Sequence, residues 1–468
     1  MKLYNSASRK IEKFEPLHPP GVTFYSCGPT VYDFTHIGHM RTYVNNDVLK
    51  RTLQYFDYKV NHVMNITDVG HLTGDDDSGE DKLEKGATKA GKTVWEVAEF
   101  YTKFFEETIH ALNILPADTV AKATDHIDAM IELIKTLQKK GFTYETEEAV
   151  YFDVTKFENY GKLSGQKLED KLKGARVEVN VDPKKKHPAD FALWFKRVGR
   201  FVDHQMHWPS PWGEGFPGWH IECSAMSMKY LGETIDIHSG GVDHLAVHHE
   251  NEIAQSEAAT GKPFVRYWFH NEFLLVDGKK MSKSLGNFYT IDDVVKKGID
   301  PLALRVLFFQ THYQTQMNFT WESVLSAQEA LKKLRDYAIT LRDQTQRNVL
   351  SDEKLGQLDS YRRRFDDALE NDLQTPQALA VVWEMLKSNI PSTDKLDLLL
   401  EFDRVMGLDL TNYKEEIIPQ DVVALANERE IARQEKDFAK SDDLRKQIEE
   451  KGYVLEDLEK GYKIKKSA

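Results

Sequence analysis

The chain has 468 residues, 41% of them hydrophobic and 29% charged, which exceeds what one core organises and points to two to four domains of an ordinary globular protein. Its net charge of −13 argues against a surface coated by nucleic acid, although Lys184, Lys185, Lys186, Lys196, Arg197 and Arg200 form a local basic patch, as do Lys460, Lys463, Lys465 and Lys466 near the end. No apolar run approaches the ~20 residues of a membrane span, and Met1–Ser6 lack the apolar core of a signal peptide, so a cytoplasmic protein is expected.

In chain order, Gly21–Cys27 is rich in β-branched and aromatic residues, reads as a strand and breaks at Gly28-Pro29. The spacing of Val44, Val48, Leu49 and Leu53 predicts a helix from Arg41 to Tyr55, and Tyr58–Ile66 is a second strand. Strand, turn, helix and strand make a βαβ unit, which favours a parallel sheet with right-handed crossovers. Ligands of such sheets bind at the carboxyl ends of the strands, where Cys27 and its following loop fall. The acidic stretch Thr73–Glu80 suggests no function. Thr93 and Glu96 form a capping box that opens a helix to about Leu112, and another helix runs from about Thr124 to Lys140. Residues 142–202 read as strand and loop, an insertion carrying the lysine cluster. Thr234–His238 is a short strand before Ser239-Gly240-Gly241, and His248–Ala259 is a helix. Beyond Trp321 the pattern turns to long amphipathic helices. Thr375 reads as an N-cap with Pro376 at the first helical position, in a helix through Leu386. Asp403–Gln420 reads as a linker, and residues 421–468 as one charged helix with a strand-like end at Gly452–Asp457.

Two short motifs carry chemistry. His36-Ile37-Gly38-His39 leads into the first helix, where a glycine lets backbone approach a nucleotide, a helix N-terminus favours anions and two imidazoles can donate to phosphate oxygens. Lys280-Met281-Ser282-Lys283-Ser284 follows the apolar Phe273-Leu274-Leu275-Val276 and Asp277-Gly278, and its cations and hydroxyls suit a mobile clamp on a triphosphate. The two cysteines, Cys27 and Cys223, are too few for a disulfide framework. His248 and Glu252 at i, i+4 share a helix face. So do His249 and Glu252 at i, i+3, and spacing leaves that choice open.

The pair His36–His39 and Lys280–Ser284, in that order and separation, resembles the signature of class I aminoacyl-tRNA synthetases. The longer phrases Cys27–Asp33, Asp190–Trp194, Gly218–Met226, His248–Ser256 and Lys280–Asn287 resemble those of the cysteinyl-tRNA synthetases, and the likeness extends over essentially the whole chain. It implies an α/β fold: a Rossmann-like parallel-sheet catalytic domain with an insertion, then an all-α helical bundle and a small C-terminal anticodon-binding domain. The expected divisions are 1–120 and 203–275 for the two catalytic halves and 121–202 for the insertion. The connecting region is 276–325, the bundle 326–411 and the anticodon module 412–468.

The resemblance further implies one zinc ion on Cys27, Cys223, His248 and Glu252, a set whose two sulfurs, one nitrogen and one oxygen suit tetrahedral Zn²⁺. Serine differs from cysteine by one atom, which a hydrophobic pocket separates poorly but a thiolate-binding ion separates well. It places His36, Gly38, His39, Asp243 and Lys283 on ATP, with magnesium expected, and His36, His39, Lys280 and Lys283 in catalysis. Thr67 and Trp219 match positions lining the cysteine pocket. Arg433, Phe438, Asp442 and Asp457 match positions that read tRNA(Cys), where exposed bases are hydrogen-bonded or stacked. Phe438 stands where the family commonly has Trp, and Met40 where a smaller residue is usual. The implied activity is ligation of cysteine to tRNA through cysteinyl-adenylate, by a monomer. The rivals are a cysteine ligase acting on an amino-sugar, which lacks a full C-terminal region, and a non-catalytic tRNA-binding paralogue.

Overall fold

The computed structural model describes residues 1–70, 72, 81–165, 182–344, 346, 347, 349–414, 418–457 and 461–466. The chain divides into two compact units, Met1–Thr411 and Asn412–Ala468. The acidic stretch 73–80 and Lys460 lie outside the described residues.

The first unit is built on five parallel strands: β1 (Gly21–Ser26), β2 (Lys59–Ile66), β3 (Thr119–Lys122), β4 (Ile235–Gly241) and β5 (Val265–Asn271). Their spatial order is β5-β4-β1-β2-β3. The order reverses between β1 and β4, so a crevice opens past their carboxyl ends. Four helices matter to that crevice: α1 (Ile37–Tyr55), α2 (Ile127–Lys139), α3 (Trp219–Leu231) and α4 (His248–Thr260). Central strands are buried on both faces, which is why Phe24, Tyr25, Val63 and Ile237 are apolar without alternation.

The start of α1 is where sequence spacing falls short, because the helix begins at Ile37 rather than Arg41. His36 is its N-cap, and its Nδ1 accepts hydrogen bonds from the backbone N–H of Gly38 (3.1 Å) and His39 (3.2 Å). Further along α1, the buried Arg41 guanidinium donates to four carbonyls, those of Glu272, Phe273, His312 and Thr315, at 2.7–3.1 Å. A buried cation is tolerated because both terminal nitrogens of the guanidinium are satisfied, two carbonyls each. Arg41 thereby fixes α1 against the segment that leads into Lys280–Ser284. That segment is a hairpin, Leu274–Val276 with Lys279–Lys280, turning on Asp277 (φ 49°) and Gly278 (φ 72°), as a two-residue turn of left-handed residues requires.

Between β3 and α3 the chain forms an antiparallel sheet of Thr143–Glu145, Ala149–Phe152, Phe191–Lys196 and Gly215–Pro217. After residue 320 come the helices Trp321–Arg342, Asp352–Glu370, Thr375–Lys387 and Ser392–Met406. Two local readings change here. Gln374 occupies the cap position and Thr375 is already helical. Asp403 belongs to a helix, not a linker: its buried carboxylate accepts from the N–H of Leu408 and Leu410 at 2.8 and 2.7 Å, folding the chain back beyond the helix end.

The second unit contains two helices where one was expected, Gln420–Gln434 and Phe438–Glu450, and a hairpin of Tyr453–Asp457 with Tyr462–Lys466. The break falls at Lys436, with φ of 63°, and Asp437 caps the second helix through Lys440 N–H. Among the described residues, no helix is long and apolar enough to cross a membrane.

Candidate active site and metal centre

A cavity of about 410 Å³ opens at the crevice between β1 and β4, lined by Cys27, His36, His39, Trp219, Asp243 and Asp33 among others. Gly28, just past β1, allows the strands to meet there: a Cβ on it would lie 1.6 Å from the Asn65 carbonyl oxygen, and its N–H donates to Asn65 Oδ1 at 2.8 Å. Gly38 is similarly confined, since a Cβ would come within 3.0 Å of the His36 ring.

The two motif histidines stack face to face, with ring centroids 3.6 Å apart. His36 N–H donates to His39 Nδ1 at 3.3 Å, completing a reciprocal capping box. Because both Nδ1 atoms accept, the ring proton of each sits on Nε2. Desolvation pushes both below the ordinary histidine range, His36 to about 2, helped by His39, and His39 to about 4. They are therefore neutral donors at the positive end of α1, not cations.

Lys283 reaches across to Asp33, with Nζ 2.6 Å from Oδ1, and lies over the Phe288 ring at 5.0 Å. Phe288 in turn meets His36 edge-on at 5.1 Å. Lys280 is exposed on its hairpin with Nζ 5.8 Å from the Phe273 ring, and does not line the cavity. Asp243 lines it from the turn after Gly241. Thr67 is buried, its hydroxyl donating to Glu222 Oε2 at 2.8 Å.

At the base of the crevice the side chains of Cys27, Cys223, His248 and Glu252 converge, one ligand atom from each lying within 4.8 Å of every other. Cys27 directly follows β1, Cys223 comes from α3, and His248 and Glu252 face it from α4. All four are buried. His248 Nε2 is 2.8 Å from Glu252 Oε1, and no aligned donor satisfies that oxygen. Burial pushes the Cys27 thiol well up. The hydrogen bond with Cys27 and the His248 imidazole pull the Cys223 thiol down despite its burial. Against the cost of burial, His238 and His248 keep Glu252 ionised. Two sulfurs, one imidazole nitrogen and an underserved carboxylate oxygen, all desolvated, fit a tetrahedral borderline-soft cation.

A second grouping, Cys27, His238, His249 and Glu252, satisfies the same distances. Its histidines already have other work. His238 Nε2 holds Glu252 Oε2 at 2.6 Å, and His249 spans Cys27 Sγ (3.4 Å) and His270 Nε2 (2.8 Å). His220 Nδ1 lies 2.9 Å from His248 Nδ1, and Trp219 packs on the His248 ring with centroids 4.4 Å apart. The roles of His220, His238, His270 and Glu222 escaped sequence reasoning. The available signal was density: His238, His244, His248, His249 and His270 fall within one strand–helix–strand segment.

In the second unit, Asp457 is held by Arg429 through two hydrogen bonds of 2.6 and 3.0 Å and also pairs with Arg433. Phe438 is 64% exposed and Asp442 is exposed on the same helix.

Residues 13–329 match the family described as tRNA synthetases class I (C) catalytic domain. The chain is 44% identical to a cysteine–tRNA ligase of Treponema denticola over 483 residues, covering 98% of each chain. It is also 44% identical to cysteine–tRNA ligase 1 of Burkholderia lata, over 99% of this chain and 96% of that one. Among solved structures, Mycobacterium tuberculosis methionyl-tRNA synthetase in complex with methionyl-adenylate superposes with a TM-score of 0.57 at 15% identity, covering 83% of this chain and 90% of that one. The Agrobacterium radiobacter K84 agnB2 LeuRS gives 0.59 at 12% identity, covering 85% of each. The structural likenesses speak to the fold, and the family match, together with full-length identity, to lineage: the chain belongs to the cysteine–tRNA ligase family of class I tRNA synthetases.

Proposed function

We propose that the chain activates cysteine with ATP, releasing pyrophosphate, and transfers it from the adenylate to the 3′-terminal ribose of tRNA(Cys). The observation that carries this reading is the buried Cys27–Cys223–His248–Glu252 cluster, whose Cys27 lines the same cavity as His36 and His39. A Zn²⁺ ion on those four residues would supply a Lewis-acid position that prefers thiolate sulfur to hydroxyl oxygen. We favour His248 over His249 because its set includes both cysteines, the softest donors available. Trp219, stacked on His248, closes the cysteine pocket from the cavity side, and Thr67 holds Glu222 beneath it.

The cysteine carboxylate attacks the α-phosphorus of ATP. Such transfer needs alignment and charge neutralisation more than a base. His36 and His39 donate Nε2–H bonds to phosphate oxygens, strengthened by the α1 N-terminus. Lys283 exchanges Asp33 for the phosphates as they separate, with magnesium accompanying ATP, and Lys280 approaches when the hairpin closes. Asp243 accepts from the ribose hydroxyls. Arg433, Phe438, Asp442 and Asp457 read the anticodon, and the protein works as a cytoplasmic monomer.

The direct test is ATP–pyrophosphate exchange dependent on cysteine, followed by charging of tRNA(Cys). Exchange without charging would point to a different acceptor. Binding of tRNA with neither reaction would make the chain a non-catalytic paralogue.

A further inference from the structure

For the terminal ribose of an RNA to reach the cavity, the nucleotides before it must cross the rim. Phe34 lines the cavity, and its ring continues outward into a cluster on the helix Val94–Ala111. It meets Phe100, Tyr101 and Phe104 edge-on with centroids at 6.0, 5.1 and 4.8 Å. Phe100 is nonetheless 48% exposed. Lys92 Nζ lies 5.1 Å from the Phe100 ring centroid. An exposed ring braced by its neighbours and lying beside a cation is suited to single-stranded nucleic acid: a base stacks on the ring and a phosphate meets the ammonium. Continuity with the cavity through Phe34 says which strand it serves.

We propose that Phe100, with Lys92, forms the platform on which the unpaired 3′ nucleotides of tRNA stack while the terminal ribose enters the cavity. The inference rests on the aminoacyl-transfer reading above. Its test is a cycle with the full chain and two RNAs, intact tRNA(Cys) and the same RNA lacking its last three nucleotides. The affinity lost by wild type on shortening should be about tenfold greater than that lost by Phe100→Ala or Lys92→Ala. The variants should keep cysteine-dependent pyrophosphate exchange, while kcat/KM for tRNA charging falls about tenfold and Phe100→Trp restores it. Equal losses on shortening in wild type and variants overturn the platform and leave the surface to a protein partner. A parallel fall in exchange and charging also overturns it, because the rings would then be supporting the cavity. A wild-type chain that charges no tRNA contradicts the parent reading instead.

Discussion

His36 has two roles with separable requirements. Its Nδ1 caps α1, which asparagine also does, whereas on the proposed reading its Nε2–H serves the phosphates, which asparagine cannot reproduce from that position. His36→Asn should therefore melt close to wild type while cysteine activation falls by about 10²-fold, the scale of one lost transition-state donor. His36→Ala should lose about 1 kcal/mol of stability in addition. Equal melting of the two variants would contradict the cap. His62 offers a test of burial. Desolvation, assisted by Lys50, lowers it to about 3, and its Nε2 bonds Ser26 Oγ at 2.8 Å. The unfolded imidazole takes up a proton near 6.5 and the folded one does not, so stability is present above pH 6.5 and lost as pH falls below it. The slope is up to about 1.4 kcal/mol per pH unit for one histidine. Urea unfolding between pH 7.5 and 5.5 should show a shallower decline for His62→Gln, by about 1 kcal/mol per unit; identical slopes would assign the acid sensitivity elsewhere.

At the scale of elements, the second unit redistributes roles among residues that the sequence treats alike. Asp457 neutralises Arg429, whose side chain is 4% exposed, as well as Arg433. Asp457→Ala leaves a nearly buried guanidinium without its carboxylate and should weaken this unit by about 1–3 kcal/mol, seen as faster hydrogen exchange in the helix Gln420–Gln434. Phe438→Ala, at an exposed ring, should leave exchange unchanged and reduce tRNA charging alone; accelerated exchange there would make Phe438 structural. What was legible in the sequence followed physical range. The capping box of Thr93 and Glu96 is a contact three residues long, and it forms as read. The strands β1 and β2 declare themselves by composition. The start of α1 hid because histidine is an uncommon cap, and Asp403 hid because its partners, Leu408 and Leu410, lie beyond the helix that carries it. The brace of His238 on Glu252 joins β4 to α4 and exists only once the sheet has formed.

For the whole molecule, the described cavity and cation cluster belong to Met1–Thr411, while Arg433, Phe438, Asp442 and Asp457 belong to Asn412–Ala468. Deleting 412–468 should leave cysteine-dependent pyrophosphate exchange within about twofold of wild type, since a truncation that removes no contact at the reacting atoms alters uniform RNA binding rather than the chemical step. The KM for tRNA should rise sharply. Loss of exchange together with melting temperature would show the second unit to be a buttress. The central claim is that Cys27, Cys223, His248 and Glu252 choose the amino acid through a bound ion. The most direct measurement is pyrophosphate exchange with cysteine and with serine, on protein as purified, stripped by a chelator and restored with zinc, with metal content determined alongside. The account predicts about one zinc per chain and a preference for cysteine of about 10⁴-fold, the range reached when a site is built around the distinguishing group. Stripping should abolish cysteine-dependent exchange and zinc should restore it, with Cys223→Ser failing to recover. Full discrimination in metal-free protein, or in Cys223→Ser, would contradict it.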